Sequence, residues 1–166
     1  MHTCGKSVYN RAMVKRPSVE THESCVVPYR LTHLGVEFCL VSEAKVNRWE
    51  FPKVRGEQDV AARALLDEVA ASAGATGDLQ GDGPMAQFVA ARGGAPCRTS
   101  AYLMRVTIVS DSWPQQAARR RLWCLAEEAR ARLRRKPWRR LVDLALQSVD
   151  PRRHRTGTNG EQSTTP

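Results

Sequence analysis

The chain has 166 residues, 42% of them hydrophobic, and a formal net charge of +9, which suits one domain with its own core rather than two undersized ones. No apolar run approaches the roughly 18 residues a membrane span requires, and residues 1–22 hold no apolar stretch of the kind that forms the core of a secretory signal. A cytoplasmic protein without a membrane partner is expected.

Residues 1–22 carry Pro17 and scattered basic residues without periodicity, which predicts a loosely ordered leader ahead of a domain over 23–149. Ser24 to Arg30 and Val36 to Ser42 are rich in β-branched and aromatic residues and are separated by a turn at Thr32 to Gly35, the pattern of two adjacent antiparallel strands. Trp49 to Pro52 is expected as a short strand or an extended entry. Val60 to Ala73 is an unbroken run of helix formers closed by Gly74, with Ala61, Leu65 and Val69 at four-residue spacing; this predicts an amphipathic helix lying on a sheet. Gly77 to Gly83 is polar and glycine-rich and is expected as a loop. Ala86 to Ala91 and Thr99 to Val109 follow as a second hairpin about the turn Gly93-Gly94-Ala95-Pro96. Arg121 to Cys124 is expected as a last strand, Leu125 to Arg135 and Trp138 to Val149 as helices broken at Pro137, and residues 150–166 as a disordered tail. This order is neither alternating βαβ nor all-β, and it implies an α/β (α+β) fold with a mixed sheet between helices.

The five cysteines are odd in number and lack a C-x-x-C pair, so neither a disulfide framework nor a zinc site is indicated. Cys25, Cys39 and Cys124 sit among apolar neighbours and are expected as buried thiols. The positive charge gathers in the last third, from Arg119 to Arg155. An anionic partner is therefore indicated: polyphosphate, nucleotide or nucleic acid.

From Val26 to about Val149 the chain resembles Nudix hydrolases, most closely the diphosphoinositol polyphosphate and diadenosine polyphosphate hydrolases. The resemblance is carried by VVPYR at 26–30, VEFCLVS at 36–42, NRWEFPK at 47–53, GE at 56–57, DEVAASAG at 67–74, SAYLMRV at 100–106, DSWP at 111–114 and RRLW at 120–123. It implies a Nudix fold and a magnesium- or manganese-dependent pyrophosphate hydrolysis. The family motif, G-x5-E-x7-R-E-U-x-E-E-x-G-U with U aliphatic, places carboxylates at helix positions i, i+3 and i+4, which share one face and converge on one hard cation.

In this chain those positions are Glu68, Ala71 and Ser72, so Glu68 alone keeps the carboxylate, as the implied catalytic and metal-binding residue. Asp67 replaces the motif arginine, and Val54 stands where a glycine follows PK. Glu57 lies two residues further from the helix motif than the family glutamate, and Asp59 fits that distance better. Glu57, Asp59 and Asp67 are the candidate substitutes for missing metal ligands. A degenerate motif of this kind implies hydrolysis that is impaired or absent, a pseudoenzyme.

The phosphate side is better kept. By resemblance Arg30, Arg48, Lys53 and Arg121 match basic positions lining a polyphosphate groove, where arginine binds phosphate bidentately and lysine acts as a point charge. Arg92 and Arg98 flank the second hairpin turn and are secondary candidates. Trp49, Trp113, Trp123 and Trp138 are expected as core packing rather than base-stacking platforms. The implied partner is a phosphorylated small molecule, a nucleoside- or inositol-linked pyrophosphate. Two alternatives stand beside this reading: an active magnesium-dependent pyrophosphohydrolase using substitute carboxylates, and a nucleic-acid-binding protein using the basic helices, for which no recognised nucleic-acid motif is present.

Overall fold

The computed structural model describes residues 20–56 and 59–149. Among them the chain forms β1 (Thr21–Thr32), β2 (Gly35–Glu43), β3 (Lys53–Arg55), α1 (Ala62–Ala73), β4 (Ala75–Gln80), β5 (Ala86–Arg92), β6 (Ala95–Val109), β7 (Arg119–Leu125), α2 (Ala126–Arg132) and α3 (Lys136–Val149). The expected leader up to residue 19 and the tail from 150 lie outside the described residues, as does Glu57. The first strand starts earlier than the expected Ser24, since β1 already includes Thr21 and His22.

The centre of β1 is buried without alternation from Glu23 to Tyr29, the mark of a strand covered on both faces. Its odd positions Cys25, Val27 and Tyr29 pack with Phe38, Leu40, Phe51, Leu133, Trp138, Leu141 and Val142, under α2 and α3. Val26 points the other way and packs with Cys39, Val41, Leu65, Val69 and Met104, under α1. Helices therefore cover both faces of one mixed sheet, as expected. The sheet runs β4-β6-β1-β2-β7, with β3 on β1 and β5 on β6. Both expected hairpins are antiparallel, while β1 and β6 pair in parallel from Thr21↔Cys97 to Tyr29↔Arg105.

Two expectations are corrected and one is narrowed. Gly77 to Gly83 is not all loop, because β4 runs to Gln80 against β6. Its polarity belongs to a sheet edge, and Gly77 is needed at a register shift where an added Cβ would lie 1.9 Å from the Arg105 carbonyl oxygen. Trp49 to Pro52 contributes only an isolated Val41↔Glu50 bridge. Pro52 has no N–H to offer, and its carbonyl instead accepts Val26 N–H at 2.9 Å, so the strand proper is β3. Pro137 does not break a helix: it lies in the first turn of α3, where its missing N–H leaves no bond unmade. The interruption is Leu133–Arg135.

α1 ends as predicted at Gly74, in the left-handed conformation with φ 61°. Cys25, Cys39 and Cys124 are buried, with Cys97. Desolvation pushes the thiols of Cys39 and Cys124 up to about 12, and that of Cys25 higher still, so all three stay protonated and behave as core. Among the described residues no helix is long and apolar enough to cross a membrane.

Candidate functional site

The expected site is divided between the faces of the sheet: Glu68 and Arg121 lie on the α1 face, and Arg48, Lys53 and Arg92 on the α2/α3 face. On the α1 face, Glu68 is half-buried, and burial raises its carboxyl above the ordinary range, offset in part by the nearby Arg119 guanidinium. One turn on, at the motif's carboxylate positions, Ala71 offers no ligand, and Ser72 is fully buried with its hydroxyl donating to the Glu68 carbonyl at 2.7 Å. Asp67 turns to solvent and pairs with Arg63 at 2.9 Å; Asp59 is exposed. Among the described residues no three His, Cys, Asp or Glu side chains gather as a metal site would require. Magnesium and manganese take shells of oxygen ligands, and a single desolvated carboxylate facing an arginine does not fit one. The α1 residues described thus supply no coordination set through which a metal-dependent step can be derived.

The same helix end is instead tied down structurally. Arg121, on β7, donates to the carbonyls of Ala73 and Ser110, both at 2.8 Å, with its guanidinium 4.2 Å from the ring centre of Trp113. Ser110 N–H reaches the Gly74 carbonyl at 2.8 Å and Gln115 N–H the Ala71 carbonyl at 3.0 Å. These donors satisfy the carbonyls of Ala71, Ala73 and Gly74 at the α1 C-terminus, and the arginine charge sits favourably at the negative end of the helix dipole. Arg121 is therefore occupied as a helix cap.

The other sequence-derived cations divide. Arg30 pairs with Glu37 at 2.7 Å across the β1–β2 hairpin and lies 4.2 Å from the Trp123 ring centre. Arg98 pairs with Glu20 at 3.0 Å near the start of β1. Arg48, Lys53 and Arg92 come together on the α2/α3 face, in a groove of about 340 Å³ between β3, the β5–β6 turn and the α2–α3 linker. That volume suits a small-molecule ligand.

Sequence reasoning missed much of this groove. Arg55, Arg134 and Arg135 also line it, making six basic side chains against two carboxylates, Glu23 and Glu50. Arg55 was within reach of sequence logic, because it shares a strand face with Lys53 two residues earlier. The linker arginines were not, since their place depends on how α2 and α3 fold back. Glu23 is 5% exposed; it accepts from Thr99 Oγ1 at 3.1 Å and from Arg92 at 3.3 Å. Lys53 pairs with Glu50 at 2.6 Å and lies 5.4 Å from the ring centre of Trp138. Trp138 itself is core, edge-on to Phe88 with centroids 6.2 Å apart. Trp49 is half-buried at the groove wall with Arg120 over its ring.

No family model matches the chain, and no curated protein matches it in sequence. Solved structures do match in shape. A Caenorhabditis elegans Ap4A hydrolase superposes with a TM-score of 0.63 at 17% identity, covering 78% of this chain and 98% of that one. The Nudix domain of Shewanella oneidensis NrtR, complexed with ADP ribose, gives a TM-score of 0.64 at 9% identity over 78% and 88% of the two chains. A Nudix hydrolase from Nitrosomonas europaea gives 0.60 at 13% identity over 78% and 90%. With helices on both faces of a mixed sheet and an α1 that closes on Gly74, the chain has the Nudix fold.

Proposed function

We propose that this protein binds a nucleoside- or inositol-linked pyrophosphate in the groove between β3, the β5–β6 turn and the α2–α3 linker, with metal-dependent hydrolysis weak or absent. The observation that carries this reading is the charge of the groove, six cations against two carboxylates. Such an excess in a concave site concentrates anions and supplies charge-assisted hydrogen bonds to phosphate oxygens. Arg48 and Arg55 are exposed, and among the described residues neither meets a carboxylate, so their guanidiniums can turn to a ligand. Neighbours of the same fold include an Ap4A hydrolase and an ADP-ribose complex, which supports a nucleotide-type ligand. Free, buried thiols on Cys25, Cys39, Cys97 and Cys124 support a reducing, cytoplasmic setting.

The absence of hydrolysis follows, in this reading, from the donor set of α1: Glu68 is left without the carboxylates that positions 71 and 72 would supply. The deciding assay incubates diadenosine tetraphosphate, ADP-ribose and a diphosphoinositol phosphate with the protein and magnesium or manganese, and follows both binding and phosphate release. Binding without turnover, weakened in Arg48→Ala, is the expected result. Metal-dependent turnover that disappears in Glu68→Gln would establish the alternative, a working hydrolase with substitute ligands such as Asp59 or Glu57. Failure to bind any of the three would sink the groove reading.

A further inference from the structure

β4 and β5 lie end to end along the side of β6 that faces away from β1, so both are edge strands. Sheet edges are ordinarily blunted by charge, proline or a bulge. β7, at the opposite edge, opens with Arg119, Arg120 and Arg121, and β4 carries Asp78 and the register shift at Thr76/Gly77. From Ala86 to Ala91, β5 has no charged residue and no proline.

The Gly93-Gly94 turn joins the pair Arg92↔Ala95, and the pair that flanks a two-residue turn exchanges its backbone bonds across the hairpin. The odd residues of β5 therefore turn their N–H and carbonyl groups to the free side. The Ala91 carbonyl is met there by Arg135. The backbone groups of Gln87 and Val89 have no neighbouring strand on that side among the described residues, and Val89 is 53% exposed. Beside this edge runs a groove of about 390 Å³ between β5 and α3, lined by Phe88, Pro137, Leu141 and Leu144, with Arg140 among them. The charge around the edge has one sign. Arg98, opposite Val89 in register, is paired with Glu20, and Arg92 leans on Glu23. Arg135 and Arg140 are exposed and meet no carboxylate among the described residues.

We propose that the free edge of β5 and the groove beside it dock an extended acidic segment of a partner protein, which adds a strand to the sheet. Backbone donors and acceptors at strand spacing are matched by another backbone, and not by a polyphosphate, which offers acceptors alone. Alternate apolar side chains of the added strand enter the groove at Phe88 and Leu144, and its acidic residues meet Arg135 and Arg140. A second copy of this chain is the poorer match, because it carries the same +9 charge and its own β5 brings no acid. Only Arg135 is shared with the phosphate groove, so strand docking needs no phosphate ligand.

The test is fluorescence anisotropy of a labelled peptide, Glu-Leu-Thr-Leu-Thr-Leu-Glu, titrated with the full-length chain. A Kd of about 100 µM or tighter is expected. Affinity should fall at least about tenfold when the amides of the three central residues are methylated, and by a similar factor when lysine replaces both glutamates. Val89→Pro removes an N–H that bonds nothing in the sheet, and Arg140→Glu reverses a charge in the groove; each should weaken binding at least about fivefold. The methylated peptide reads the same pairing on the wild-type chain, whatever the stability of the proline variant. Equal binding of methylated and unmodified peptides would overturn strand addition. Equal or tighter binding of the lysine peptide would overturn the acidic partner. A wild-type dimer that Val89→Pro converts to monomer would give the edge to a second copy instead, and no binding of the glutamate peptide would overturn the docking surface altogether.

Discussion

The two faces of the sheet hold different things. On the α1 face a helix ends on a left-handed glycine, with its last carbonyl capped by Arg121 and the Trp113 ring against that guanidinium, and Ala71 and Ser72 bring no carboxylate beside Glu68. On the α2/α3 face no motif architecture marks the groove, yet six cations converge there. Likeness of shape therefore reports on the backbone of the first face more than on the charge of the second.

The largest effect that tests this contrast is Ser72→Glu. Ser72 is fully buried, so a glutamate there must displace packed neighbours and desolvate a charge; a loss of about 3 kcal/mol or more is expected, readable in urea denaturation. A variant that keeps wild-type stability would show that the α1 face can still open to receive a metal shell, and would break the contrast. Gly74→Ala should come next, at about 2 kcal/mol, because a side chain at positive φ is strained. Its Cβ would also meet Trp113 Cβ at 2.9 Å and Arg121 at 3.1 Å. Polyphosphate affinity of the folded variant should not change, since the groove is on the other face.

Arg48→Ala should do the reverse, with thermal stability held and phosphate-chain affinity reduced about tenfold, the value of one charge-assisted contact. Loss of stability without loss of affinity would place the anion site elsewhere. The smallest effect belongs to Glu68→Gln. Burial holds the folded-state pKa of Glu68 above its unfolded value, so the folded protein binds that proton more tightly. The wild type therefore gains stability as pH falls through the window between the two values and bears the full burial penalty above the folded pKa. Glu68→Gln removes that pH dependence and should raise Tm at neutral pH by less than about 2 °C. A variant less stable than wild type at neutral pH would mean that the carboxylate has a partner that holds it charged.

Elements with strong periodicity were legible in the sequence. α1, with Leu65 and Val69 buried as the spacing implied and Gly74 closing it, followed from local chemistry, and so did both hairpins. β4 was not legible, because Gly77, Asp78 and Gln80 carry no strand signal; they lie in a strand by pairing with the edge that β6 offers. The place of Pro137 was not legible either, because proline stops a helix only from within, and nothing local to the sequence says that α3 begins at Lys136. In the groove, Arg48 and Lys53 came from resemblance, and Arg92 from its place beside the second hairpin turn. Arg134 and Arg135 were visible only as part of a basic run, since their position is fixed by the burial of the neighbouring Leu133 and Trp138 against strand residues distant in sequence. Arg121 shows the converse: its motif position was legible, but its two carbonyl partners come from α1 and from Ser110, which only the tertiary structure brings together.

The parallel pairing of β1 with β6 bears on the order of events as the chain folds. Register partners such as Glu23 and Thr99 are 76 residues apart, and closing so long a loop consumes entropy before any contact repays it. The β1–β2 hairpin can form early from neighbouring residues, but its inner edge stays open until β6 has been made. During synthesis that edge is a strand surface awaiting its partner, and the rate at which β6 emerges sets how long it remains exposed to pairing with another chain.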